Sequence, residues 1–281
     1  MRQPPFRRIY AGAAFAGLLA ALALSACGPT RGAVLAAEDA LFAETALDAA
    51  IAAPTRTPAN VLRDRYRHPA GTLSYFGVGP TDTVVEIWPG GGWYTEILAP
   101  YLADRGTYYA VGNERQLRDA KAMAAKDPLT YGNIRFAAFP AAASDPRVPD
   151  GSADVVLTFR NVHNWIMPDV PFGEDAFRQM YGMLKKGGTL GVVEHRLPEE
   201  ADAAREKKSG YVRVSTVRRL AEQAGFRFVA ASEINANPRD TKDYERGVWA
   251  LPPALRGGDV DRERFLAIGE SDRMTLKFVK P

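Results

Sequence analysis

The sequence predicts an α/β fold for the region after residue 60. Short apolar runs of strand length alternate there with helical patterns, the arrangement that joins parallel strands through helical crossovers. One run, Val84-Val85-Glu86-Ile87, opens into Pro89-Gly90-Gly91-Gly92-Trp93 ahead of a helical pattern, the chain turn where α/β enzymes hold adenosine-containing cofactors. A cofactor enzyme is therefore the expected class.

Strands are expected at 83–87, 108–111, 134–138, 155–159, 189–194, 226–231 and 274–279. Helices fill the gaps. Phe177, Met180, Tyr181 and Leu184 recur at helical spacing and give one apolar face, which Gly187 and Gly188 are expected to stop. Val217, Leu220, Ala221 and Ala224 mark a further helix that ends at Gly225. A polar, glycine-containing excursion over 235–272 separates the last two strands. Connections of this length are often functional, and Asn237, Asp240, Asp243, Tyr244 and Trp249 are candidates for a lid. Pro100 falls inside the helical pattern after the glycine turn, where it is expected to kink the helix.

The N-terminus reads differently. Arg2, Arg7 and Arg8 form a basic head, Ile9 to Leu24 is almost wholly apolar, and Leu24-Ser25-Ala26-Cys27 closes the segment. This resembles a bacterial lipoprotein signal peptide over residues 1–26. The resemblance implies that Cys27 becomes a lipid-bearing N-terminus, held on a membrane of the cell envelope and facing the periplasm. An uncleaved anchor helix is the alternative. Cys27 is the only cysteine, so no disulfide within one chain competes for it. The chain has a formal charge of +3, and the three arginines of residues 1–26 account for it. Without them a nucleic-acid partner has no electrostatic footing. Residues 27–59 read as a linker followed by an alanine-rich helix, Ala33 to Ala53.

From residue 60 onward the order of parts resembles the class I S-adenosylmethionine-dependent methyltransferases. The resemblance is carried by Glu86-Ile87-Trp88-Pro89-Gly90-Gly91-Gly92, by the segment Asp154 to Phe159, and by Leu184-Lys185-Lys186-Gly187-Gly188-Thr189-Leu190. It implies a Rossmann-like, seven-stranded, mostly parallel sheet with an antiparallel last strand and helices on both faces. It also implies S-adenosylmethionine as cofactor and methyl transfer to an unidentified, small-molecule acceptor. Pro89 to Tyr94, Arg160 to Trp165 and Gly269 to Met274 look like a bacterial subgroup of methyltransferases whose acceptors are mostly unassigned.

Within that frame Glu86 is expected to receive the cofactor's ammonium group, while Gly90, Gly91 and Gly92 clear side chains from the turn. Trp88 stands where many members carry the first glycine. Gly112 stands where the family places an acid for the ribose, which moves that duty to Asn113 or Glu114. Phe139 either stacks on adenine or packs the core. Arg160, Asn161, His163, Asn164 and Trp165 follow an apolar strand at the sheet's carboxyl edge, where ligands bind. Asn161 is expected to contact the cofactor and Arg160 to orient an anionic substrate. His163 is expected to act as general base, since imidazole is the side chain that titrates near neutrality. Glu194 would assist catalysis, and Asn164, Trp165, His195 and Tyr211 would line the acceptor pocket. His68, among Arg63, Arg65 and Arg67, could cover the cofactor.

Two other functions compete. A nicotinamide-dependent oxidoreductase would want a third small residue where Thr95 stands, and its acid would follow the loop rather than precede it as Glu86 does. A ligand-binding lipoprotein without turnover would answer the difficulty that the methyl donor is made in the cytoplasm. The three histidines show no metal-ligand spacing, so no metal is expected.

Overall fold

The computed structural model describes residues 31–281, so Cys27 and the basic, apolar leader lie outside the described residues. The chain divides into Met1–Ala40 and a compact unit, Leu41–Pro281. In the compact unit eight strands form one sheet: β1 (Thr83–Ile87), β2 (Thr107–Val111), β3 (Arg135–Ala137), β4 (Ala153–Phe159), β5 (Leu184–Leu197), β6 (Val212–Arg213), β7 (Arg227–Ser232) and β8 (Arg273–Val279). Their order is β3-β2-β1-β4-β5-β8-β7, with the two-residue β6 beside the end of β5. Strands β1 to β5 pair in parallel, and β8 runs antiparallel to both β5 and β7. The expected mostly parallel sheet with an antiparallel last strand is present, extended by the short β6.

Helices cover both faces, which is why Val84, Val85 and Ile87 are all buried rather than alternating. Trp165, Phe177, Met180 and Leu190 belong to one core layer, and Leu73, Phe76, Ile97 and Leu98 to the other. Strand order reverses between β1 and β4, so the connections leave on opposite sides there and open a crevice beyond the strands' carboxyl ends.

Two boundaries differ from the sequence expectation. The helix Gly173–Met183 stops before the glycine pair, because Gly187 and Gly188 pair with Lys280 at the end of the sheet instead of capping a helix. The alanine-rich helix is Arg31–Ile51, and its Leu47 and Ala50 are already buried, so core packing starts before residue 60. The segment between β7 and β8 carries the helix Arg262–Ile268 and a small apolar cluster of Ala250, Leu251, Phe265 and Ile268. Among the described residues no helix is long and apolar enough to cross a membrane.

Candidate functional site

The crevice at the strand-order reversal holds a cavity of about 280 Å³. Glu86, Trp88, Gly90 and Gly91 line it from the end of β1, and Arg160, Asn161 and His163 from the end of β4. His195 enters from β5, and Val248, Trp249 and Leu251 to Ala254 form part of its wall from the β7–β8 segment.

The turn after β1 runs through left-handed backbone at Trp88 (φ 51°), Gly90 (φ 58°) and Gly92 (φ 75°). Added side chains at Gly90 or Gly91 would project into open space, so these two glycines leave a cradle above the backbone. Gly92 faces elsewhere: a Cβ there would come within 2.7 Å of Met123 Sδ, so its lack of a side chain serves packing rather than a ligand. Glu86 is buried and accepts hydrogen bonds from Tyr108 Oη and from Thr95 Oγ1 at 3.3 Å. Desolvation pushes its carboxyl up to about 7, and those hydroxyls pull the other way. A cationic group brought beside it would restore the ionised form. Cradle and carboxylate together fit the amino-acid end of S-adenosylmethionine.

The nucleoside end is different. Asn113, Glu114 and Phe139 border a separate depression that shares no residue with the main cavity. Asn113 caps the helix Glu114–Lys126 by accepting from the amides of Arg115 and Gln116. Glu114 is exposed and pairs with Lys121 at 2.7 Å. Phe139 is buried in the core, its ring 5.8 Å from that of Trp165. Trp88 stands between the two hollows. Its Nε1 donates to the Phe139 carbonyl at 3.0 Å, and its ring meets Trp165 edge-on at 5.8 Å and Phe172 at 6.1 Å. A Cβ on Gly112 would lie 3.2 Å from the indole. The indole thus lies between the glycine turn and the end of β2.

At the end of β4, Arg160 also takes left-handed backbone, φ 61°, a conformation that costs roughly 1–3 kcal/mol and is usual at ligand sites. Asn161 lines the cavity, and its Nδ2 ties β4 to β1 by donating to the Ile87 carbonyl at 2.7 Å and to Thr158 Oγ1 at 3.2 Å. His163 Nδ1 donates to Glu194 Oε1 at 3.0 Å, since a carboxylate only accepts, and this leaves Nε2 as the lone-pair nitrogen. Glu194 is fully buried and also accepts from the backbone amides of His163 and His195. The result is a carboxylate-oriented imidazole at the cavity, the arrangement that fixes a tautomer for proton transfer. His195 meets Ser271 Oγ through Nδ1 at 2.5 Å. Desolvation first, and then the neighbouring His163 and the guanidiniums of Arg160 and Arg273, hold it well below the usual histidine range, so it is neutral at pH 7.

Several expected acceptor contacts lie elsewhere. Asn164 is exposed, on the far side of the short helix Val162–Ile166. Trp165 is completely buried as a core anchor. Tyr211 is buried too, and its hydroxyl donates to Asp240 at 3.0 Å. Asp240 and Asn237 hold the β7–β8 segment to Asp272, Ile268 and Glu270, Tyr244 packs on Phe265, and Asp243 is bonded to Thr241 at the surface. Trp249 alone of the lid candidates faces the cavity. His68 borders a different hollow, while its neighbours Arg63 and Arg67 line this one.

Glu270 and Ser271 complete the wall, with Tyr94 and Phe159 stacked at 3.6 Å between ring centroids. Residues 63 and 270 are too far apart in sequence for their pairing to be read from spacing. His163, Glu194 and His195 form the trio among the described residues whose ligand atoms could reach one metal ion, a juxtaposition their sequence spacing hides. In this arrangement the Glu194 oxygens accept bonds from both histidines, and nearby guanidiniums oppose a cation.

Residues 85–192 match the family model described as a methyltransferase domain. No curated protein matches the chain. Among solved structures, a SAM-dependent methyltransferase from Aquifex aeolicus is similar at 19% identity and a TM-score of 0.50, over 64% of this chain and 88% of that one. Geranyl diphosphate C-methyltransferase from Streptomyces coelicolor is similar at 12% identity and a TM-score of 0.54, covering 83% and 88%. The cyclase SpnF reaches a TM-score of 0.56 at 15% identity, covering 91% and 98%. Likeness at these identities establishes the methyltransferase fold. That a cyclase shares it is a reason to argue activity from the site.

Proposed function

We propose that the chain is a methyltransferase that uses S-adenosylmethionine as cosubstrate and methylates a small-molecule acceptor. The observation that carries this reading is one cavity in which the open glycine turn and Glu86 meet a carboxylate-oriented histidine, within the span that matches a methyltransferase domain. When bound, S-adenosylmethionine supplies an activated methyl group, whose carbon–sulfur bond breaks toward sulfur as the acceptor's nucleophile attacks. Glu86 and the backbone at Gly90 and Gly91 would hold the amino-acid end, and Asn161 keeps β1 and β4 in register around it. His163 Nε2 would take the acceptor's proton, and Glu194 stabilises the imidazolium that forms. Positioning supplies most of the acceleration in such a transfer, roughly 7–11 kcal/mol for well-aligned reactants.

The test is calorimetric titration of the full chain with S-adenosylmethionine and S-adenosylhomocysteine, followed by a search for methylated products in cell-envelope extracts. Binding of both with a new methylated product supports the reading, and absence of binding ends it. A bacterial lipoprotein on the envelope, facing the periplasm, is part of the same proposal. It is supported by Arg2, Arg7, Arg8, the apolar run and Leu24-Ser25-Ala26-Cys27. Metabolic labelling with a fatty acid should mark the wild type and not Cys27→Ser; equal labelling of both would refute the anchor.

A further inference from the structure

The cavity carries more positive charge than its own acids neutralise. Arg63, Arg67 and Arg160 all line it. Arg63 Nε and Arg67 Nε share the single carboxylate of Glu270, at 2.6 and 3.2 Å, and Arg273 Nη2 takes the same group at 2.9 Å. Three guanidiniums therefore divide one carboxylate. Arg67 has only 3% of its side chain exposed, and its Nη2 is buried without a partner, as is Arg63 Nη2. Buried guanidinium nitrogens normally find an acceptor, and each orphan carries a desolvation cost. Among the described residues the Arg160 side chain has no hydrogen bond or ion pair. The other acid lining the cavity, Glu86, is committed to Tyr108 and Thr95, and Glu194, buried behind the histidines, to His163 and His195.

We infer that Arg63, Arg67 and Arg160 form an anion subsite that holds a carboxylate or phosphate group of the acceptor, an assignment of the occupant that rests on the methyl-transfer reading. Guanidiniums present planar forks of donors matched to both groups. Arg160 lies three residues before His163, so an acceptor anchored there by its anionic end presents its remaining atoms to the base. Val248, Trp249 and Leu251 supply an apolar wall for the body of such a molecule. The substrate class is thus a small acid with an apolar body. Burial and repulsion from Arg160 pull Arg67 well below the usual guanidinium range, outweighing Glu270, which is the state an incoming anion would relieve.

The same chemistry could come from the cofactor's own carboxylate, and the experiment separates the two sources. The full chain is titrated with benzoate and with inorganic phosphate, in the absence and presence of saturating S-adenosylhomocysteine, for the wild type, Arg160→Gln and Arg67→Gln. Wild type should bind at least one of the anions, each substitution should weaken it by ~10-fold or more, and S-adenosylhomocysteine should leave that binding in place. Arg160→Gln should keep or raise the melting temperature, because Arg160 has no partner to lose, so it remains informative if Arg67→Gln does not fold. No binding of either anion to wild type, or equal binding to Arg160→Gln, overturns the subsite. Displacement of the anion by S-adenosylhomocysteine, with Arg160→Gln weakening that ligand but not 5′-methylthioadenosine, which lacks the carboxylate, overturns the acceptor as occupant. Anion binding with no binding of S-adenosylhomocysteine defeats the methyl-transfer reading and leaves the subsite standing.

Discussion

Replacing Trp88 by Gly should strengthen binding of S-adenosylhomocysteine while lowering the stability of the fold. To clear the path toward β2, the indole must break its hydrogen bond to the Phe139 carbonyl and leave Trp165 and Phe172. The hydrogen bond contributes about 0.5–1.5 kcal/mol net, and each aromatic contact about 0.5–1.5 kcal/mol. Opening therefore costs about 1.5–4.5 kcal/mol, which leaves the open form at roughly one part in ten to one in a thousand and weakens the apparent affinity by the same factor. Glycine removes the obstacle and relaxes the left-handed backbone at φ 51°. The gain should be ~10-fold or more in Kd, read by calorimetry. Losing an aromatic side chain from a packed site costs about 3–5 kcal/mol, reduced here because Trp88 is only half-buried. Circular dichroism melts would follow that loss. A folded Trp88→Gly protein that binds the ligand no tighter than wild type would refute the reasoning, since the indole would then not stand in the nucleoside's way.

Glu194→Gln should reduce turnover by ~10²-fold or more with little change in cofactor affinity, because the amide no longer stabilises the His163 imidazolium; single-turnover assays paired with calorimetry would check it. Gly91→Leu should weaken S-adenosylhomocysteine binding by ~10-fold or more without lowering the melting temperature, because its Cβ meets nothing within 4 Å and the side chain projects into the open cradle. Desolvation pushes Glu270 up, but Arg67, Arg273 and Arg63 overcome it and hold its carboxyl at about 2, below the ordinary 4.5. A folded-state value below the unfolded one contributes stability that is complete above about 4.5 and lost as pH falls toward 2, on the order of 3 kcal/mol. Glu270→Gln should flatten that acid limb in pH-dependent melts, and an unchanged limb would show that the arginines do not act on Glu270.

The chain by itself determined the α/β class, the strand order along the sequence and the glycine turn, because strand periodicity, glycine and a preceding acid are local signals. Glu86, Gly90, Gly91, Asn161, His163 and Arg160 were legible on that basis, each beside a strand end that the pattern locates. Tertiary structure decided the rest. Only the pairing of β4 with β5 could bring Glu194 to His163, and only the return of β8 could set Glu270 against Arg63 and Arg67. Asn164, Trp165 and Tyr211 share the right neighbourhood in sequence, yet Asn164 lies at the surface and Trp165 and Tyr211 are buried away from the cavity, while Asn113 and Glu114 border the separate depression beyond Trp88. Which way a side chain faces depends on the backbone torsion of its own residue and on what the neighbouring elements leave open. At Trp88 both are set by packing against Phe139, Trp165 and Phe172, residues that no local pattern connects.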